Sequence, residues 1–162
     1  MDQSFLNWLH QSALSQATRD SRWLFGALES AHFLGLTLLV GAMALVDLRL
    51  MGVIKHGSGR ATLKFTHLAV IGLLLIILSG IGLFSSEPAA YWGNPLFRIK
   101  MALVLLAFLN IVWFEMREKR LVADLADGGS PVVSARFVGL LSLTLWLVII
   151  VIGRFLPVKG GN

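Results

Sequence analysis

Two ionisable side chains lie within an apolar segment that is long enough to cross a lipid bilayer. Glu29 and His32 are near the start of the segment at residues 29–52, and their spacing of three places both on one face of a helix. Each is costly in hydrocarbon and therefore needs a partner, a ligand or a water-filled cavity. A histidine in this setting can ligate haem iron or carry a proton, and it can also simply hydrogen-bond to a serine or a carbonyl group on a neighbouring helix.

Haem held between membrane helices requires two axial side chains at nearly equal depth. His32 and His67 differ in depth by roughly 15 Å at a rise of 1.5 Å per residue, which disfavours a haem shared by these two. Met101 matches the depth of His32 better, and His/Met ligation is a known haem arrangement. His10 is a second option. We therefore consider His32, Met101 and His67, in that order, as candidate ligands of haem b.

A polar site is also predicted in the outer half of the membrane. Lys100, in the third apolar segment, lies at a depth comparable with that of Glu29, so we expect the two charges to neutralise each other and to leave His32 as the functional group. The small residues at 79–82 fall at the same level. Such residues generally permit close helix contact, and they can also admit the edge of a flat cofactor.

Charged residues near the inner ends of the apolar segments are predicted to be structural. Asp47 has several cations within reach, and we expect ion pairs with Arg49 and Arg136. Long cationic side chains near the end of a span also extend to water. Asn110, deep in the third segment, is expected to hydrogen-bond to a neighbouring helix.

The composition is that of a membrane protein. Of the 162 residues, 56% are hydrophobic and 14% charged, whereas soluble domains have about 45–50% and 25%. The basic residues lie at the edges of apolar segments, where they contact lipid headgroups, so the net charge of +5 does not indicate a nucleic-acid partner. The chain has no cysteine, which excludes thiolate metal sites and covalently attached haem. It also carries no hydrolase or phosphate-loop motif, and no pattern assigns an enzymatic reaction.

Four apolar segments are predicted to span the bilayer as helices, at about residues 23–46, 63–84, 97–114 and 137–156. Their connections are short, so we expect one all-α integral membrane domain over residues 1–162, folded as an up-and-down four-helix bundle. Apolar residues between positions 5 and 14 predict a short amphipathic N-terminal helix in the membrane interface, with a frayed terminus as the alternative.

Lysine and arginine counts predict the orientation. Eight of the 14 lie around the 47–64 and 115–136 connections, which leaves six for the opposite side. Since basic residues concentrate on the cytoplasmic side, both termini are expected outside.

Two stretches resemble a known group of proteins. His32 with GLTLLVGAMALVDLRLMG, and LSGIGLFSSEPAAYWGNPLFRIKMALVLLAFLN at 78–110, are similar to uncharacterised bacterial four-helix inner-membrane proteins, over about residues 25–115. More distantly the arrangement resembles membrane cytochrome b subunits and copper-resistance D proteins. Such proteins often have a histidine near the position of Glu115, and this departure weakens an inner-leaflet haem on His67. The resemblance implies the bacterial inner membrane and brings no established reaction.

Two hypotheses of function result. The first is a haem-b-type or electron-transfer membrane subunit with His32 as ligand and another membrane or periplasmic redox protein as partner. The alternative is a cofactor-free structural or assembly subunit, or a small transporter with an outer-facing polar pocket.

Overall fold

The computed structural model describes residues 2–54, 59–114, 116 and 133–156, with only the backbone of residues 59–64. The regular structure in these ranges is helical. We number the helices α1 (Gln3–His10), α2 (Ala13–Asp20), α3 (Arg22–Leu50), α4 (Gly59–Ser86), α5 (Pro88–Gly93), α6 (Pro95–Trp113) and α7 (Val133–Phe155). The predicted all-α fold class is confirmed.

Four helices are long and apolar enough to cross a membrane: α3, the part of α4 at Phe65–Ser86, α6 and α7. They match the four predicted spans to within a few residues. Large apolar side chains on all four are more than half exposed, including Phe33 at 62%, Leu78 at 67%, Leu105 at 58% and Leu147 at 54%. Rows of such side chains are unfavourable in water and favourable against lipid tails. The chain is therefore a multi-pass membrane protein whose surroundings are a lipid bilayer.

Helix α3 continues four residues beyond the predicted span, which ended at Val46. Its C-terminus is a Schellman motif, in which Gly52 N–H donates to the Arg49 carbonyl at 2.9 Å and Val53 N–H to the Leu48 carbonyl at 2.9 Å. Gly52 has φ 78°, a conformation that favours glycine. Because the helix stops only at this glycine, residues 47–50 belong to α3.

The chain forms two compact units, of which the first comprises residues 1–39 and 68–95. Its N-terminal segment is two short helices and not the single one predicted, because the first ends at its C-cap Gln11 and Ser12 caps the second by accepting from Ser15 N–H at 3.2 Å. Helix α1 packs against α5 and buries Leu6. Phe5 and Trp8 remain exposed on α1, in keeping with the amphipathic pattern.

Glycines bring α3 and α4 into backbone contact within the first unit. A Cβ atom on Gly72 would lie 2.6 Å from Leu39 N and 2.7 Å from the Gly35 carbonyl oxygen, and one on Gly82 would lie 2.8 Å from Leu28 Cδ1. No side chain fits at Gly72, where the neighbours are backbone atoms, whereas at Gly82 the end of the Leu28 side chain would have to move. The close contact predicted for the small residues is confirmed at these positions.

The second unit comprises residues 40–67 and 96–162. Its described core joins α3, the end of α6 and α7 through five buried residues: Val46, Leu50, Phe114, Ala135 and Val138. Asn110 Nδ2 on α6 donates to the Val138 carbonyl on α7 at 3.3 Å, which confirms the interhelical hydrogen bond predicted for Asn110. The prediction of one domain over residues 1–162 stays a prediction.

Candidate functional site

His32 on α3 contacts Ser79 on α4 inside the first unit. The distance from His32 Nδ1 to Ser79 Oγ is 2.9 Å. The Ser79 hydroxyl points its single hydrogen toward carbonyl groups of its own helix, donating to Leu75 and, at 3.4 Å, to Ile76. Since that hydrogen is already used, His32 must be the donor and Ser79 Oγ the acceptor. The imidazole therefore carries its hydrogen on Nδ1, and in the neutral ring Nε2 carries the lone pair.

Gly80 leaves space beside the imidazole. A Cβ atom there would lie 3.3 Å from His32 Cε1 and 3.7 Å from Nδ1, so a side chain at position 80 would crowd the ring. These contacts place Ser79 and Gly80 level with His32, as expected, whereas Gly82 lies level with Leu28. Ser79 orients the ring and Gly80 keeps it uncrowded.

Glu29 lies near enough to Tyr91 for its charge to act on the phenol, a pairing that the sequence did not predict. Tyr91 lies on α5, outside the spanning helices, and burial raises the pKa of its phenol. The negative charges of Glu29 and Glu87 raise that pKa further, because they disfavour the phenolate. Lys100 belongs to the second unit, where its Nζ is 3.6 Å from the position that a Cβ of Gly153 would take. The ion pair of Glu29 with Lys100 stays a prediction.

The other candidate ligands lie in different surroundings. Met101 on α6 is 45% exposed, and His67 on α4 is also exposed. Both belong to the second unit, so their pairing with His32 stays a prediction. His10 is engaged by Arg19, whose Nη1 lies 2.8 Å from His10 Nδ1 and 3.2 Å from Nε2. A guanidinium group against both ring nitrogens makes His10 a poor metal ligand.

Arg19 also joins three helices of the first unit. Its Nη1 donates to the carbonyl groups of His10 at 3.1 Å and Ser86 at 3.2 Å, and to Ser15 Oγ at 2.6 Å. The guanidinium thereby holds α1 and α2 against the C-terminus of α4. The sequence does not predict this role, since an arginine before a span is equally consistent with a cation that contacts lipid headgroups.

Asp47 on α3 is 1% exposed and lies beside the Ser142 hydroxyl of α7. Three buried side-chain atoms of the second unit have no hydrogen-bond partner among the residues described: Asp47 Oδ2, Ser142 Oγ and Trp146 Nε1. Arg49 is buried on the same helix and Arg136 is exposed near the start of α7. The ion pairs of Asp47 with these arginines stay predictions, because the group found beside the carboxylate is a hydroxyl.

Some of the predicted positions lie outside the described residues, namely Glu115 and the side chain of Lys64. Within the described ranges, no three His, Asp or Glu side chains are grouped as a metal site would require. An axial ligand of haem needs no such group, since one or two side chains hold the iron.

Comparison of the chain with protein-family models, with curated proteins and with solved structures gives no match. The chain is a multi-pass helical membrane protein with a histidine–serine contact between two of its spanning helices.

Proposed function

We propose that this membrane protein is a haem-b-binding subunit for electron transfer, with His32 as an axial ligand. The contact between His32 Nδ1 and Ser79 Oγ is the observation that carries the proposal. A histidine that binds a metal almost always donates its other ring N–H to a fixed acceptor, which sets the tautomer and the orientation of the ring. His32 has this arrangement, and Nε2 is then the nitrogen that would bind iron.

The surroundings of His32 support the same proposal. Gly80 places no side chain against the imidazole edge, and a neutral imidazole is a ligand that haem iron accepts. We propose Met101 as the second ligand. His67 is the less favoured candidate, because its depth in the membrane differs from that of His32. Bound haem supplies reversible one-electron transfer. The residues of the chain bind it through His32, orient that ligand through Ser79 and offset charge through Glu29 and Lys100.

The location proposed is the inner membrane of a bacterium, with both termini outside. The bias of lysine and arginine toward the 47–64 and 115–136 connections supports this orientation, and the resemblance to bacterial inner-membrane proteins supports the compartment. In this orientation His32 lies in the outer half of the membrane. The electron partner is then another membrane protein or a periplasmic redox protein.

An optical difference spectrum tests the function. The full chain is produced in cells supplied with a haem precursor, purified in detergent, and measured reduced minus oxidised. Soret and alpha bands are expected, and Met101→Leu should shift them if the thioether is the second ligand. A flat spectrum from folded protein would contradict the proposal. It would favour the alternative of a cofactor-free structural or assembly subunit or a small transporter.

A further inference from the structure

The second unit contains a buried polar cluster that the proposed haem site does not use. Asp47 is 1% exposed, Ser142 2% and Trp146 4%. Asp47 Oδ2, Ser142 Oγ and Trp146 Nε1 lack hydrogen-bond partners among the described residues. Most buried polar atoms in native proteins are hydrogen-bonded to protein or to ordered water. Two of these exceptions, the Asp47 carboxyl and the Ser142 hydroxyl, lie beside each other, which indicates a site and not a packing accident.

Ser142 differs from the other hydroxyl residues of the spanning helices. Four of them donate to the carbonyl group one turn earlier in their own helix: Ser30, Thr37, Ser79 and Thr144. The corresponding carbonyl for Ser142 is that of Val138, which accepts from Asn110 Nδ2 at 3.3 Å as well as from the backbone of its helix. Both lone pairs of that oxygen are then used. The Ser142 hydroxyl is thus left for Asp47, beside which it lies.

The groups that α7 presents to Asp47 are uncharged. A Cβ atom on Gly139 would lie 2.8 Å from the Asp47 carbonyl oxygen, and the next group along the face is the Ser142 hydroxyl. The titratable groups toward this end of the unit are Arg49 on α3, His67 on α4 and Arg136 on α7, with Lys64 and Glu115 outside the described side chains. A buried carboxylate needs a cation or several donors, whereas the neutral acid needs one donor and one acceptor. One serine hydroxyl can donate to the neutral acid or accept from it, but it gives a carboxylate a single donor.

We infer that Asp47 is a proton-binding site inside the membrane, where its carboxyl group holds a proton at neutral pH and hydrogen-bonds with Ser142. The proton comes from bulk water and no other bond changes. This inference is independent of haem, since neither Asp47 nor Ser142 belongs to the proposed haem site.

Infrared spectroscopy of the full chain in lipid nanodiscs tests the inference. A protonated carboxyl group has a C=O stretching band that a carboxylate lacks. At neutral pH we expect this band in the wild type and its loss in Asp47→Asn. Ser142→Ala should shift the band to higher frequency, because the acid loses a hydrogen bond. Thr144→Ala is the matched control on the same helix and should leave the band unchanged, since Thr144 donates to its own helix at Leu140.

Thermal unfolding separates the proton site from an ion pair. Asn resembles the neutral acid in shape, so Asp47→Asn should melt within about a degree of the wild type. If Asp47 were instead a carboxylate paired with arginine, this substitution would remove one partner of a buried pair and lower the melting temperature clearly. That lowering, the absence of an Asp47-dependent band, or a band insensitive to Ser142→Ala would each overturn the inference.

Discussion

His32 and Ser79 form the residue-scale contact from which the proposed function starts. His32 was predictable, because an ionisable group at membrane depth is rare and usually has a role. Its partner was not, since a serine in a spanning helix most often bonds only to its own backbone. Ser142 and Trp146 were missed for the same reason. A serine and a tryptophan four residues apart in an apolar helix give no sign of burial until the neighbouring helix is placed.

Replacing Ser79 should weaken haem binding if His32 is the ligand. Ser79→Ala removes the acceptor that orients the imidazole, and loss of such a partner typically costs about 10–100-fold in affinity for the bound metal. Titration of apoprotein with haem measures the change. Ser85→Ala is a matched control, because Ser85 is equally buried on α4 and donates only to its own helix at Gly82. Equal affinities for the two variants would contradict the orienting role of Ser79.

Tyr91 should make the protein less stable at high pH. Burial and the two glutamates raise the pKa of its phenol, so the folded state holds this proton more tightly than the unfolded state. The contribution is complete below the ordinary tyrosine pKa of about 10, and it is lost as pH rises through the higher pKa of the folded protein. Tyr91 is the chain's one tyrosine, so phenolate absorbance reports it directly. Melting temperatures of the wild type and Tyr91→Phe should diverge above about pH 10, and parallel curves would contradict this.

At the scale of elements, the spans follow from apolar length alone, and their ends depend on local signals. Helix α3 runs beyond the apolar segment predicted to span the membrane, because Gly52 ends it through the positive φ of a Schellman motif. The N-terminal segment was predicted as one helix because its apolar spacing spans both halves, and the capping by Ser12 was overlooked. Capping residues, more than hydropathy, decide such boundaries.

The contact of α3 with α4 gives a prediction about glycines. Gly72→Ala would place a methyl group 2.6 Å from Leu39 N, and the helices would have to separate. Such overpacking costs on the order of 1–3 kcal/mol, which should lower the melting temperature in detergent. Gly41→Ala is the matched control, because a Cβ atom there has nothing within 4 Å. If the two variants melt alike, the backbone contact at Gly72 is not present in solution.

At the scale of the whole molecule, the sequence predicts membrane class and number of spans better than it predicts which helices share a site. Composition and apolar length predict the membrane class and the number of spans, because every span must be apolar and long enough to cross the lipid. The expected pairs of Glu29 with Lys100 and of His32 with Met101 depend on helix rotation. Rotation is determined by packing, which hydropathy does not encode. These pairs therefore remain predictions.

Orientation in the membrane is testable directly. Reporter fusions after Ser58 and after Gly129 should both report the cytoplasm, because the connections at 47–64 and 115–136 hold eight of the 14 basic residues. A fusion after Trp92, between the second and third spans, should report the outside. A periplasmic signal at Ser58 or Gly129 would reverse the proposed orientation and place His32 in the inner half of the membrane.

The haem content of histidine variants tests the proposed function most directly. Wild type, His32→Ala and His67→Ala are purified under identical conditions, and haem per polypeptide is measured beside the melting temperature of each. We expect haem in the wild type and in His67→Ala, and its loss in His32→Ala at an almost unchanged melting temperature. Full haem retention in folded His32→Ala would contradict the assignment of His32 as the ligand.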